Sequence, residues 1–329
     1  VKSVPHIALV ADECGWHCAR LTQAFAARGC RVTRVALPDC EFVADGAGVS
    51  LPGFGGALPD GVFVRGVPAG SLESVVFYLD VLHALREAGV RVYNDARMIE
   101  RSVDKAMTSF LLRRAGIATP AAWSFARADR ARAFVARHAG AGGGLVMKPV
   151  FGSQGKGLQR IRPGRPLPPA DDEERVYYLQ QFVKSEGDGW SDWRVFVIGG
   201  GAVAGMKRVG RDWVSNVANG AECHAAEIAS EAARLAEAAV AAIGLFYAGV
   251  DLIRDGEGRW WVTELNSIPA WRGLQGVTSA DIAARLADDF LRGICADKRA
   301  DEWADKGPIK GAPDKTPAAA ERGSRGGAG

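Results

Sequence analysis

GVDLIRDGEGRWWVTELNSIPAW, from Gly249 to Trp271, is the stretch on which the reading turns. It reads as an apolar strand carrying Asp251, a turn at Asp255–Gly258, and a second apolar strand that ends in Glu264-Leu265-Asn266. The turn lays the two strand ends side by side, so three oxygen-bearing side chains converge on one point. Hard oxygen donors suit Mg²⁺ (or Mn²⁺), and Mg²⁺ held by a few carboxylates usually also contacts substrate phosphates. Taken alone, the same three residues also fit the charged end of a surface hairpin. The segments upstream decide between these readings.

Lys148 closes a strongly apolar strand, Leu145–Val150, and opens the glycine-rich run Phe151-Gly152-Ser153-Gln154-Gly155-Lys156-Gly157. Glycines let backbone N–H groups approach a phosphate closely. The order G-x-x-x-x-G-K-[ST] is absent, because Gly157 follows Lys156, and the run leads into another strand, Leu158–Ile161, rather than a helix. It reads as a hairpin cover, with a plain surface hairpin as the alternative. Lys148, upstream of three oxygen ligands, reads as a phosphate clamp. Lys105, after Asp104, is less specific: a helix N-terminal charge beside its acidic neighbour.

The first 95 residues alternate strands and helices. Strands are expected at His6–Ala11, Arg31–Leu37, Val62–Arg65 and Val90–Tyr93, with helices at Trp16–Arg28 and Leu72–Glu87. That alternation implies parallel pairing with helices on both faces. No G-x-G-x-x-G follows the first strand, which argues against a dinucleotide site. From Ala96 the pattern changes. Helices are expected at Ser102–Ala115, Arg127–His138, Ala225–Ile243 and Ser279–Gly293, and further strands at Trp123–Phe125, Val176–Val183, Trp193–Ile198 and Ala202–Arg208. The division expected is 1–95, 96–297, and a polar Gly/Pro/Lys-rich tail over 298–329 whose composition predicts disorder. No internal repeat is seen.

Of the 329 residues, 48% are apolar and 24% charged, which predicts a packed globular core. The net charge of +3, mixed along the chain, leaves no nucleic-acid footprint. No run approaches the ~20 apolar residues of a membrane helix, and the N-terminal apolar stretch is too short for a signal peptide. The spacing of Cys14, Cys18, Cys30, Cys40, Cys223 and Cys295 fits no zinc template. They read as thiols in a reducing cytoplasm rather than as metal or redox groups, Cys14-Gly-Trp-His17-Cys18 included.

In order, Asp104-Lys105, Lys148 with Gly152–Gly157, Leu179-Gln180-Gln181-Phe182-Val183, Asp192-Trp193-Arg194, Lys207-Arg208, Ser215-Asn216, Ala248–Asp251 and Glu264–Ser267 resemble the ATP-grasp ligases, and most closely the RimK-like glutamate ligases. The resemblance covers about residues 96–295, and the first domain resembles the one that precedes it in that family. It implies an α/β and α+β fold: an N-terminal parallel α/β pre-ATP-grasp domain followed by a two-subdomain ATP-grasp fold.

The resemblance also implies roles. Lys105 and Lys148 would reach the ATP phosphates under a lid formed by Gly152, Ser153, Gln154, Gly155 and Gly157. Gln181, Phe182 and Val183 would pair with adenine; many relatives have Glu where Gln181 stands, which removes a side-chain contact but not a backbone one. Asp192 would lie beside ribose and phosphates. Asp251, Glu264 and Asn266 would hold Mg²⁺, and Arg208, Arg194 and Asn216 would sit near the γ-phosphate and the acceptor carboxylate. Val214 departs from the Arg frequent in RimK-like chains, and Ser185–Ser191 looks longer than its counterpart.

The implied reaction is ATP-dependent, ADP-forming carboxylate–amine ligation through an acyl phosphate. The implied partners are an amino acid, glutamate by preference, and a small carboxylate acceptor of the tetrahydromethanopterin or methanofuran kind. Ala11–His17 and Arg65–Ser71 look more like that coenzyme-modifying branch. A ligase acting on a protein C-terminus, a D-alanine-type ligase and a non-catalytic ATP-binding module stay open as alternatives. No nucleic acid or membrane is expected, and homo-oligomers are common among relatives. Trp190, Trp193, Trp213, Trp260, Trp261 and Trp271 lie in the ligase half. Alternating strand positions favour core packing for them over stacking on a flat substrate ring. Arg272 fits either a substrate carboxylate or a solvated loop position.

Overall fold

The computed structural model describes residues 4–305 apart from 44–47, 139–142, 153–154, 169–175, 216 and 218–219. The chain opens with β1 (His6–Val10), α1 (Trp16–Ala26), β2 (Arg31–Val35), a small antiparallel pair β3 (Glu41–Val43) and β4 (Gly48–Ser50), β5 (Gly61–Val64), α2 (Leu72–Glu87) and β6 (Val92–Tyr93). A parallel sheet in the order β2-β1-β5-β6 results. Strand alternation explains its two faces. Ile7, Leu9 and Phe63 pack with Leu21 and Phe25 of α1, whereas Ala8, Val10, Val62 and Val64 pack with Val81, Leu82 and Leu85 of α2.

Next come α3 (Ala96–Val103), α4 (Lys105–Arg114), β7 (Ala122–Phe125), α5 (Ala128–His138), β8 (Leu145–Lys148), β9 (Gln159–Ile161) and β10 (Tyr177–Gln181). The single helix expected over Ser102–Ala115 is two. Asp104 is extended (φ −81°, ψ 103°), and its carboxylate accepts the Ala106 and Met107 N–H groups at 2.8 and 3.1 Å. An aspartate at that position starts a helix rather than continuing one. Four of the strands make an antiparallel sheet in the order β7-β10-β8-β9. Leu145, Met147, Tyr177 and Leu179 cover α5 with one face of it.

The remainder is β11 (Trp190–Ile198), β12 (Gly201–Gly210), β13 (Glu222–Ala225), α6 (Ser230–Ile243), β14 (Tyr247–Arg254), β15 (Trp260–Asn266), α7 (Arg272–Gln275) and α8 (Ile282–Asp305). The helix expected from Ala225 begins only at Ser230, because Glu222–Ala225 pairs with β12 as an edge strand. The five strands are antiparallel in the order β13-β12-β11-β14-β15. Ala232, Ala236, Val240 and Ile243 of α6 pack on Val195, Val197, Val250, Leu252 and Val262, which fixes one face of this sheet as core.

Helix α8 outruns the expected Ser279–Gly293, and its Phe290 and Ile294 close the α1 side of the first sheet. Gly61 permits that approach: a Cβ there would stand 2.6 Å from Ile294 Cδ1 and 2.7 Å from Phe290 Cζ. Of the expected tail, residues 306–329 lie outside the described residues. Asn94 joins the first sheet to the last: its amide donates to the Tyr247 and Ser267 carbonyls, both at 2.9 Å, and accepts the Phe246 N–H at 2.8 Å. Among the described residues no helix is long and apolar enough to cross a membrane.

Candidate active site

Because α6 takes Val195, Val197, Val250 and Leu252, alternation turns Asp192, Arg194 and Asp251 to the opposite face of the five-stranded sheet. Register then sets their neighbours. Arg194 is opposite Asp251, Asp251 is opposite Glu264, and Asp192 is opposite Arg208. Arg194 Nε and Nη2 donate to the two Asp251 carboxylate oxygens, both at 2.7 Å. Arg208 forks onto Asp192 at 2.6 and 2.8 Å and reaches Asp251 Oδ2 at 3.0 Å.

This network is buried and balanced in charge. Burial alone would raise the Asp251 carboxyl, but the Arg194 and Arg208 guanidiniums outweigh it and hold it near 2. Burial pushes Asp192 up to about 6 against the pull of Arg208. Burial also opposes the charge on Arg208, yet the Asp251 and Asp192 carboxylates keep it above its ordinary value. Such forked, charge-assisted contacts are geometrically demanding, and so they fix where the carboxylates lie.

The facing wall is the other antiparallel sheet. With Leu145, Met147, Tyr177 and Leu179 committed to α5, Val146, Lys148, Tyr178 and Gln180 turn the other way, and register pairs Lys148 with Tyr178. Between the two walls lies a cleft of ≈ 830 Å³, open mouth included. Lys148, Gln181, Phe182, Val183, Asp192, Arg208, Asp251 and Glu264 all line it. Burial lowers the Lys148 ammonium, and Lys105 beside it lowers it further, against the pull of Glu264.

Gly155 lies at the junction of this cleft with a second hollow, shared by Lys105, Lys148, Gly152, Lys156 and Glu264. Lys105, the first residue of α4, donates through Nζ to the Gly152 carbonyl at 2.7 Å and stands 3.9 Å from Glu264. Gly152, Gly155 and Gly157 have φ of 147°, 70° and 72°, values that L side chains rarely adopt. A Cβ on Gly157 would meet Pro149 Cγ at 2.8 Å. At the hinge, the Gln181 and Phe182 N–H groups already donate to the Ala121 and Gly144 carbonyls, at 2.8 and 3.0 Å. Val183, which also lines the cleft, has the one hinge N–H without a partner among the described residues.

The residues expected at the site are thus largely together, with three qualifications. Arg194 acts on Asp251 from the side and does not line the cleft. Asn266 shares the face of Glu264 by alternation but pairs in register with Gly249, one step beyond the cleft lining. Ser153, Gln154 and Asn216 lie outside the described residues.

The tryptophans divide: Trp190 and Trp213 line the cleft and flank Phe182 at 6.2 Å, while Trp193, Trp260 and Trp271 pack in the cores. Tyr178, hydrogen-bonded to Ser109 at 2.7 Å, was not singled out from the sequence, and Gln180 was noted within its run but given no role. Their alternation with Tyr177 and Leu179 was the available signal. Ser185 lines the cleft and ties its own loop, donating to the Gly189 carbonyl and accepting the Ser191 N–H. Cys18 and Cys40 are buried free thiols, pushed up by burial, Cys40 to about 11, which makes them inert.

The donor set fits a divalent cation. Asp251 is held ionised, and Glu264, opposite it, is a third exposed towards the cleft. Arg194, Arg208, Lys105 and Lys148 face Asp192, Asp251 and Glu264, an excess of a single positive charge. A triphosphate carries several negative charges, so a hard cation bound by these oxygens would supply the missing balance.

The family model for the RimK-like ATP-grasp domain matches residues 102–290. The chain belongs to the RimK-like ATP-grasp family. It is therefore a carbon–nitrogen ligase of the ATP-grasp type. It is 33% identical over 236 residues to the tetrahydromethanopterin:alpha-L-glutamate ligase of Methanococcus maripaludis, covering 70% of this chain and 78% of that protein. It is 33% identical over 233 residues to a probable alpha-L-glutamate ligase of Aliivibrio fischeri, covering 69% and 75%. Among solved structures, the ATP-grasp ligase PsnB complexed with a minimal precursor superposes with a TM-score of 0.65 at 23% identity, over 88% of this chain and 99% of that one. A RimK domain protein of Sphaerobacter thermophilus gives 0.62 at 20% identity, over 87% and 99%. At these identities the structural likeness speaks for the fold.

Proposed function

We propose that the chain is an ATP- and Mg²⁺-dependent ligase that adds L-glutamate to a small coenzyme-type acceptor of the tetrahydromethanopterin class. The observation that carries this reading is the single cleft in which Lys148, the Gln181–Val183 hinge, Asp192, Asp251 and Glu264 meet. The relatives named as tetrahydromethanopterin:alpha-L-glutamate ligases supply the substrate class.

Adenine lies between Phe182, Trp190 and Trp213, with the Val183 N–H as its backbone donor. Lys148 and Lys105 hold the phosphates beneath the Gly152–Gly157 lid. Asp251 and Glu264, with Asn266 beside them, would hold Mg²⁺, which would supply neutralisation of the phosphate charge. The acceptor carboxylate attacks the γ-phosphorus; ADP leaves and an acyl phosphate forms. The glutamate amine then attacks the acyl carbon, the bond to phosphate breaks, and the amine gives up a proton. Arg208 and Arg194 act on the reaction by fixing the Asp192 and Asp251 carboxylates in place.

The test is ADP release by the purified chain with ATP, Mg²⁺, L-glutamate and tetrahydromethanopterin, together with the mass of the product. Release that requires both co-substrates, with one or more glutamyl units gained, is expected. ADP release indifferent to every carboxylate and amine supplied would sink the ligase assignment. Release only with a protein or peptide acceptor would move it to the protein-modifying alternative.

A further inference from the structure

A second group of cations stands outside the nucleotide cleft, where β1 and β5 end. Arg65 follows β5, and its backbone N–H donates to the Val10 carbonyl at 2.7 Å, which places it beside the end of β1. Its guanidinium lies over the Trp271 ring, 4.7 Å from the centroid. Arg272, the next residue, is exposed. His17 of α1 accepts the Trp271 N–H through Nε2 at 3.0 Å, and its ring meets the Trp271 ring at 4.5 Å. His17 is neutral: burial, then Arg65 and Arg272, bring it down to about 4.

What Arg65 and Arg272 lack is an ion-pair partner, although the Asp12 carboxylate lies near, 3.6 Å from where a Gly66 Cβ would stand. Nε and Nη1 of Arg65 and Nε1 of Trp271 have no hydrogen-bond partner, and neither arginine enters an ion pair among the described residues. The Tyr247 hydroxyl beside Arg65 donates to the Val64 carbonyl and stays neutral. Arg34, also near, is already engaged by the Ala11 and Asp12 carbonyls at 3.3 and 2.7 Å, and its charge pulls on the Asp12 carboxyl. Arg65 thus hydrogen-bonds the Tyr247 hydroxyl but keeps Nε and Nη1 without acceptors, Arg272 has no ion-pair partner among the described residues, and each guanidinium matches a carboxylate in planar geometry.

The Trp271 loop connects this cluster to the reaction centre. Gly273 packs on Cys223, where a Cβ would stand 3.0 Å from Sγ, and Cys223 is the register partner of Arg208. At its other end, Pro269 packs on Gly249, and Gly249 lies against Arg194. The loop that carries Arg272 therefore packs against the strands that hold Arg208 and Arg194, which puts the cluster next to the ligase sheet. A positive field also favours the neutral form of an amine.

We infer that Arg65 and Arg272 form the receptor for the two carboxylates of the amine substrate, a dicarboxylic amino acid, at the junction of the parallel sheet and the Trp271 loop. This rests on the ligase reading above and assigns the end of the site that the nucleotide does not fill.

The experiment is calorimetric titration of the full chain, in the presence of ADP and Mg²⁺, with L-glutamate and, as a monocarboxylate control, L-glutamine. Titration with ADP is run separately on each variant. L-Glutamate should bind the wild type saturably and Arg65→Gln and Arg272→Gln about tenfold or more weakly. Glutamine should bind poorly throughout, and ADP should bind all three proteins alike. Arg272 is exposed, so its variant is expected to fold, and ADP binding reports the integrity of both. Unchanged glutamate affinity in the two variants, or a wild type that binds ADP and no glutamate, would overturn the inference. A wild type that fails to bind ADP would overturn the ligase reading and this inference with it.

Discussion

Arg194 grips Asp251 along both edges of the carboxylate, Nε to Oδ1 and Nη2 to Oδ2, each at 2.7 Å. The pair joins β11 to β14 at their register position, and both side chains are largely buried. Removing the guanidinium strands an ionised carboxylate with Arg208 as its remaining counter-charge. Arg194→Met should cost about 3 kcal/mol of unfolding free energy, the low end for a broken buried pair. Urea unfolding measures it. Adding Asp251→Asn should recover part of the loss, because the stranded charge goes with it. A single variant as stable as the wild type would show that the pair contributes nothing.

Lys148 makes the opposite case. Burial already disfavours its charge, and no carboxylate forms an ion pair with it among the described residues. Lys148→Met should therefore leave the melting temperature unchanged or raised, while kcat/KM for ATP falls about 100-fold or more. An ADP-release assay beside thermal denaturation separates the two effects. Turnover at the wild-type rate would remove Lys148 from phosphate binding.

Asn94 satisfies three backbone groups of other segments in a fully buried setting. Asn94→Ala would orphan the Tyr247 and Ser267 carbonyls and the Phe246 N–H. A loss of about 3 kcal/mol is expected, given ≈ 1–3 kcal/mol for each buried group left unpaired and some relaxation. The measurement is the urea midpoint; a shift too small to resolve would mean that water replaces the amide.

His17 gives stability a pH dependence of known sign. Its folded value, brought down by burial and by Arg65 and Arg272, is about 4 against 6.5 unfolded. The unfolded chain takes up a proton in that window and the folded chain does not, so this contribution is fully present above 6.5 and lost as pH falls towards about 4. Protonation would also remove the acceptor for the Trp271 N–H. Between those limits wild type should lose more stability than His17→Gln. Parallel pH profiles for the two proteins would refute the assignment.

Much of this was legible locally. The β14–β15 hairpin, Lys148 and the glycine lid are contiguous in sequence, and strand period and turn residues suffice to place them. Asp104 was visible beside Lys105, but its role as a cap was not, since only the backbone conformation distinguishes a cap from a helical aspartate. The Arg194–Asp251 and Arg208–Asp192 pairs depend on strand register across β11, β12 and β14, which no single segment encodes. The edge strand Glu222–Ala225 was not expected, and its last residue was given to the following helix, because its four residues carry no apolar alternation of their own. The residues around Trp271 come from separate stretches: Arg65 and His17 drew notice only within segments resembling the coenzyme-modifying branch, and only Arg272 as a carboxylate ligand, because their meeting depends on the tertiary fold.

Helix α8 has a consequence for synthesis. The first sheet is made early, but the face carrying Ile7, Phe25 and Phe63 is closed by Phe290 and Ile294, more than two hundred residues later. On the ribosome that face, with α1 alone on it, stays partly open until nearly the whole ligase body has emerged. The N-terminal sheet is thus the first to be translated and among the last to be finished, and apolar surface left open in the interval is where association between nascent chains would start.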